Sequence, residues 1–458
     1  MMIRSARSWG KLRRLLSGLW CLPVLLAQAP PPATLDQILE RLTRLESENR
    51  ALREEVKGLR EEVATLKPAA AAAPVPTPVQ QLEERIAIQE KRTEEQAQTK
   101  VEASQRFPIR LSGMVLMNAF HNGAAAAGTD TPTTAARIPG RQTGGMTFRQ
   151  SVLGMEYTGS QTFLGARARG SVFVDFYEGN TETNNFYTPR FRTGGFHLDW
   201  ASRTVSFVQE KPLFSGRDPD SFSFVGVSPL TSSGNLWRWQ PQLRFEQRMT
   251  SGGFQGTAQV ALIQTSEDAG FDFAGNRLSN ERRRPGLEGR FELAAGTAGE
   301  RRIEIAPGFH LSNSNVSGQR FRSDLVSVDW LVQPVSKLQW TGLAWNGQNV
   351  HHFGAFRQSF GIVNGVLRPV RSRGGWTQVS VPFTTKFSLH VFGGIHDDRN
   401  EDIAANGIAV NRSGGANIMY RLAPNLVLSL EALKQRTTYR DLGNRSNNRY
   451  DLSIAYLF

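Results

Sequence analysis

The chain has 458 residues and a formal charge of +13 at pH 7, with much Gly and Phe and a single Cys. No stretch beyond the first thirty residues offers about 18 consecutive apolar positions, which excludes a bundle of membrane-spanning helices. One cysteine excludes a disulfide framework and a cysteine-built metal site.

Residues 1–29 read as a secretory signal. Arg4, Arg7, Lys11, Arg13 and Arg14 are a basic start, Leu15 to Leu26 an apolar run, and Ala27-Gln28-Ala29 a small-residue cleavage site. The plainer reading is an uncleaved anchor. The lone Cys21 lies inside this segment, and the charge beyond it is about +8. Export argues against nucleic acid as the partner of that charge; anions in a lumen or lipid phosphates fit better.

Over 30–67, Leu35, Ile38, Leu42, Leu45, Asn49, Leu52, Val56, Leu59, Val63 and Leu66 are spaced alternately by three and four. That is the seam of a coiled coil, with Asn49 as the polar position that sets register and oligomer state. The alternative is one long amphipathic helix lying on another surface. Residues 68–78 are an Ala/Pro linker, semi-rigid because proline removes donors and favours extension. Residues 79–107 are a second, polar helix and junction.

From Ile109 onward, segments of period two recur between turn residues. Sixteen are predicted, at 109–120, 149–158, 163–177, 194–202, 204–210, 239–249, 254–265, 285–296, 301–311, 321–332, 337–346, 374–383, 386–397, 414–422, 425–438 and 448–458. In 321–332, Val326, Val328, Trp330 and Val332 oppose Ser327 and Asp329. In the last segment Tyr450, Leu452, Ile454, Tyr456 and Phe458 oppose Asp451, Ser453 and Ala455. Short connections alternate with long ones, the long ones near 121–148, 178–193, 211–238, 266–284, 312–320, 347–373, 398–413 and 439–447. This rhythm and two-faced alternation predict an all-β transmembrane barrel of about 16 antiparallel strands over 108–458, with both termini and the stalk on the short-turn, periplasmic side.

A barrel of this size is wide enough for an aqueous channel. Inward alternation makes Arg167, Arg169, Asp175, Arg244, Glu246, Arg248, Glu288, Arg290 and Glu292 the pore-lining candidates. The plain alternative is that such pairs only neutralise a polar wall. Loop 211–238 is the constriction candidate, with Lys211, Arg217, Asp218, Asp220 and Arg238; it either folds inward or stays outside as a lid or subunit latch. Loop 347–373, with His351, His352, Arg357, Arg368, Arg371 and Arg373, is a basic patch for anions or lipopolysaccharide phosphates. Adjacent histidines in a strand point to opposite faces, so no metal is expected. Nor is a cofactor, a catalytic residue or an enzyme, since no G-x-S-x-G, H-E-x-x-H or P-loop pattern occurs. Gly144-Gly145, Gly194-Gly195 and Gly252-Gly253 read as strand starts or turns.

The stretch Arg149 to Glu156 (RQSVLGME), followed by Val172 to Gly179 (VFVDFYEG), resembles the early strand pair of the DcaP-like trimeric porins of the Gram-negative outer membrane. The layout of signal, coiled coil and barrel is similar over most of 35–458. That resemblance implies a homotrimer of sixteen-stranded barrels taking up small, often anionic solutes, with Arg167, Arg169 and Arg244 on the basic wall. Asn49 sits oddly with it, since a seam Asn is often found in dimers. The expectation is an outer-membrane porin passing small hydrophilic solutes, with a preference for anions. Alternatives are a channel specific for carbohydrate or phosphate-like solutes, and a stalked barrel tethering the outer membrane to cell wall or a periplasmic partner.

Overall fold

The computed structural model describes residues 109–178, 187–264, 280–281, 285–297, 300–316, 319–355 and 359–458, with 54 and 57 besides. The expected signal, seam with Asn49, linker and second helix therefore lie outside the described residues, those two positions apart.

Sixteen strands form the barrel: β1 (Ile109–Asn122), β2 (Val152–Phe163), β3 (Ala166–Glu178), β4 (Thr188–Asp199), β5 (Arg203–Glu210), β6 (Gln240–Ser251), β7 (Phe254–Ile263), β8 (Gly286–Gly296), β9 (Arg302–Val316), β10 (Gln319–Val335), β11 (Leu338–Gln348), β12 (Arg371–Pro382), β13 (Phe387–Asp398), β14 (Ile408–Ala423), β15 (Leu426–Tyr439) and β16 (Gly443–Leu457). Each runs antiparallel to the next. β16 returns to β1 in a ladder from Met114↔Leu457 to Asn122↔Arg449. The terminal Phe458 joins the closure by exchanging backbone hydrogen bonds with Gly113 at 3.0 and 3.1 Å. Closure satisfies every strand edge, which a sheet needs if it is to stand in hydrocarbon.

The two faces separate as the alternation demands. On β15, Val427, Ser429, Glu431, Leu433, Gln435, Thr437 and Tyr439 are buried inside, while Leu430, Ala432, Lys434 and Arg436 are exposed outside. On β16, Arg449, Asp451 and Ser453 are buried, and Tyr450, Leu452 and Tyr456 look outward.

Several boundaries differ from the sequence reading. β4 starts at Thr188 rather than 194, so Gly194-Gly195 neither start a strand nor make a turn. They lie beside a register irregularity in the β3–β4 ladder. Gly195 has φ +144°, and a Cβ there would sit 2.1 Å from the Phe207 carbonyl oxygen, so this position beside the bulge favours glycine. Gly144-Gly145 belong to a short extended arm, Thr143–Thr147, that pairs with the end of β1. β14 begins at Ile408. The long connections expected at 312–320 and 439–447 shrink to 317–318 and 440–442, because β9, β10, β15 and β16 continue as ladders of residues polar on both faces. Where both faces are polar the period-two signal vanishes although the backbone stays paired.

Candidate functional site

After β5 the chain cannot continue as a strand, because Pro212, Pro219 and Pro229 lack the donors a ladder requires. Residues 211–239 instead enter the barrel and cross it. This decides the question the sequence left open: the loop is neither an external lid nor a latch.

Its root is fixed to the strands that follow. The Leu213 N–H donates to Glu288 on β8 at 2.8 Å, and Ser327 on β10 donates to the Phe214 carbonyl at 3.1 Å. Arg217 then engages three carboxylates on three strands: Asp329 on β10 at 3.1 Å, Glu292 on β8 at 3.5 Å, and Glu304 on β9. Asp329 is also held by Arg290, at 2.8 Å from Nε. Lys211 pairs with Asp218 within the loop. Arg244 on β6 pairs with Glu210 at 2.6 Å and donates to the Lys211 carbonyl.

The middle of the loop rests on a different wall. Gln150 accepts the N–H groups of Val225 and Gly226 at 2.7 and 2.8 Å and donates to the Ser223 carbonyl at 2.9 Å. Asn118 donates to Phe222 O, Asn417 to Asp220 O, and Asn411 to Ser232 O. Gln378 exchanges two bonds with Asp220, at 2.8 and 2.6 Å. Gly234 packs so closely on β12 that an added Cβ would lie 2.2 Å from the Gly375 carbonyl. The loop returns over Trp237, whose N–H donates to the Phe353 carbonyl, and Arg238 makes the same backbone contact. His351–Phe353 is a single turn of 3-10 helix, not a strand, so the opposite-face argument about its histidines does not apply.

Three cavities lie along β3–β8. A cavity of about 430 Å³ is bordered by Glu210, Lys211, Arg217, Trp239, Arg244, Arg290 and Glu292. A second, about 200 Å³, shares Glu210 and Arg244 and adds Arg169, Glu246 and Arg248. A third, about 180 Å³, shares Lys211 and Trp239 and adds Arg192, Asp218 and Trp237. Together their walls carry seven Arg or Lys groups against four carboxylates.

Of the residues the sequence singled out, Arg169, Arg244, Glu246, Arg248, Arg290 and Glu292 border these cavities, as do Lys211, Arg217 and Asp218. Arg167 is exposed at the short-turn end of β3, away from them. Asp175 and Glu288 point inward but are fully buried, so they anchor other groups and touch no solute. Asp175 binds Arg190 and Arg192 of β4 at 2.6 and 2.9 Å. These two arginines, absent from the sequence reading, hold the Gly226 and Val225 carbonyls and lie over the Trp239 ring at 5.1 and 4.5 Å from its centroid. Arg449 was missed too. It is fully buried, pairs with Asp451 at 2.6 Å, and lies over Phe120 and Phe224.

A sixteen-stranded barrel with a loop packed across its lumen has the architecture of a porin. Comparison with solved structures agrees. The fold is similar to that of the outer membrane channel DcaP of Acinetobacter baumannii, with a TM-score of 0.66 at 13% identity over 76% of this chain and 97% of that one. It is similar also to an anion-selective porin from Comamonas acidovorans, with a TM-score of 0.52 at 13% identity over 76% of this chain and 99% of that one. At such identity the likeness is one of fold. No protein-family model and no curated protein matches the sequence.

Proposed function

We propose that the protein is an outer-membrane channel that passes small hydrophilic solutes and prefers anions. The observation that carries this reading is that seven Arg or Lys groups line the three cavities beside the inward loop, each paired with a carboxylate, while Asp175, Asp329 and Glu304, which pair with Arg192, Arg290 and Arg217, lie largely buried behind them, so that cations outnumber carboxylates at the cavity surface. In a narrow, water-filled passage with low-dielectric walls, such an excess raises the local concentration of anions and lowers that of cations. The cavity volumes favour solutes of a few heavy atoms over polymers. One of the similar folds belongs to a porin described as anion-selective, and the same property is proposed for this chain. The domain reading belongs to the proposal: 1–29 directs export, 30–67 forms a periplasmic coiled coil, and 108–458 spans the membrane as one barrel of a homotrimer.

The test is single-channel recording in planar bilayers under a salt gradient. Arg169 and Arg248 are the residues to change, because their side chains are 46% and 40% exposed and border the second cavity. With Arg169→Gln and Arg248→Gln together, the reversal potential is expected to move toward zero while conductance persists. An insertion that conducts nothing, or a wild type that prefers cations, overturns the reading.

A further inference from the structure

On the outward face of the barrel, Arg412 on β14 stands directly across from Arg436 on β15, and Lys434 stands one outward position along, across from Gly414. All three are exposed, and none has a hydrogen-bond or ion-pair partner among the described residues. Like charges placed opposite each other on one face repel, and cations facing lipid are costly unless they lie at its border. The position is such a border. Eight residues separate Arg412 from the outward Tyr420, which at the usual strand rise and tilt is roughly 20 Å along the barrel axis, close to the height of the apolar band. Below the three cations the outward surface is apolar, with Ile418, Leu430 and Leu452 all exposed.

Other cations of this rim are paired. Arg322 pairs with Asp324 at 3.3 Å, Arg373 with Asp397 at 2.9 Å, and Arg371 with Asp402 at 2.6 Å. Of the basic patch read from the sequence, Arg371 and Arg373 are thus neutralised by their own chain, and Arg357 lies outside the described residues. Arg412, Arg436 and Lys434 are not, so their anion must come from outside.

The surface beneath them has room for a chain. Gly393 and Gly414 face each other across β13 and β14. An added Cβ at either would meet nothing nearer than 3.5 Å. A phosphate above a shallow apolar surface matches a phosphorylated lipid. A second barrel matches less well, because the outward carboxylates Asp324 and Asp397 of such a copy are already held by arginines of their own chain.

We infer that Arg412, Arg436 and Lys434 form a binding site for the phosphate groups of an outer-leaflet lipid, with its acyl chain over Gly393 and Gly414. This deepens the outer-membrane reading and rests on it. The test uses the full chain, purified in detergent and stripped of lipid. Its unfolding midpoint is measured with bisphosphorylated lipid A, with zwitterionic phosphatidylcholine and with inorganic phosphate. Lipid A is expected to raise the midpoint of the wild type by several degrees through preferential binding to the folded state. It should leave that of the triple variant Arg412→Gln, Arg436→Gln, Lys434→Gln unmoved, and retained lipid in native mass spectra should fall in parallel. An equal shift in the variant overturns the site. A shift with inorganic phosphate alone makes it a free-phosphate site and overturns the lipid. Loss of the oligomer in the triple variant but not in the wild type, both in lipid-free detergent, makes the patch a contact between copies and overturns it as well. Conductance recorded on the same preparations separates the two readings: a wild type that binds lipid A and conducts nothing refutes the channel alone, and one that conducts with no lipid shift refutes this site alone.

Discussion

The lumen has two walls of opposite chemistry. On β8 to β10 the inward loop is held by charge, with Arg217 and Arg290 sharing Asp329 and Glu292. On β1, β12 and β14, and in the turn before β2, it is held by amides and hydroxyls: Asn118, Gln378, Asn411, Ser413 and Gln150. The three cavities lie on the charged side. The contrast has a physical logic. An amide satisfies a backbone carbonyl or N–H at little desolvation penalty, so it suits a dry seat. A guanidinium is expensive to dehydrate fully and serves best where one side still meets water.

The largest effect is therefore expected on the charged wall. Asp329 is almost completely buried and is the acceptor common to Arg217 and Arg290. Asp329→Ala leaves two cations short of their shared partner, and removing one member of a buried pair costs about 3–5 kcal/mol. Thermal unfolding of the variant should show that loss, and its single-channel traces should be noisier and more anion-selective because the root of the loop and two positive charges are released together. A variant that melts like the wild type would remove Asp329 as the hub of this wall.

On the neutral wall the same kind of deletion is expected to do less. Asn411 donates to Thr133 O and Ser232 O, both at 3.0 Å, and to Ser233 Oγ, while its own oxygen accepts from Thr437. Asn411→Ala leaves these groups unpaired, at about 1–3 kcal/mol. Since no charge is altered, the reversal potential should stay where it is while the unfolding midpoint falls. A changed ion preference in this variant would mean that the two walls do not divide anchoring from selectivity as described.

The sequence carried the barrel because lipid imposes a strict rule on one face. Wherever a strand crosses the apolar band, every second residue has to be apolar, and that is visible in Val326, Val328 and Trp330 without any partner being known. The same rule exposed Arg244, Glu246, Arg248, Arg290 and Glu292 as inward. It failed beyond the band. Thr188, Arg190 and Arg192 belong to a strand that opens on Pro189 and whose alternation is broken by register irregularities in its ladder with β3, so they read as loop. The fate of residues 211–239 was hidden for another reason. Their prolines announce a loop but give no direction, and its seats are set by contacts such as Arg217 to Asp329, 112 positions away. Asp329 was legible as an inward residue and illegible as a hub.

The smallest effect concerns the turn that closes over the charged wall. His352 is fully buried, and neither ring nitrogen has a partner among the described residues. Burial, with His310, His351 and Arg238 nearby, holds its imidazole well below the usual value of 6.5. His310, whose ring centroid is 5.7 Å away, is itself paired with Glu288 at 3.1 Å, so that carboxylate is already engaged. The unfolded chain accepts a proton at this histidine near its ordinary value, whereas the folded turn resists it. The contribution of His352 to stability is therefore complete above about pH 6.5 and declines as the pH falls below it. Hydrogen exchange over 349–355, corrected for the intrinsic rate, should quicken between about pH 7.5 and about pH 5, the range in which an exposed histidine takes up its proton. His352→Phe keeps a ring in the site, beside Phe353, and should flatten that dependence. If the variant keeps the full pH response, the proton that loosens the turn is not bound at His352.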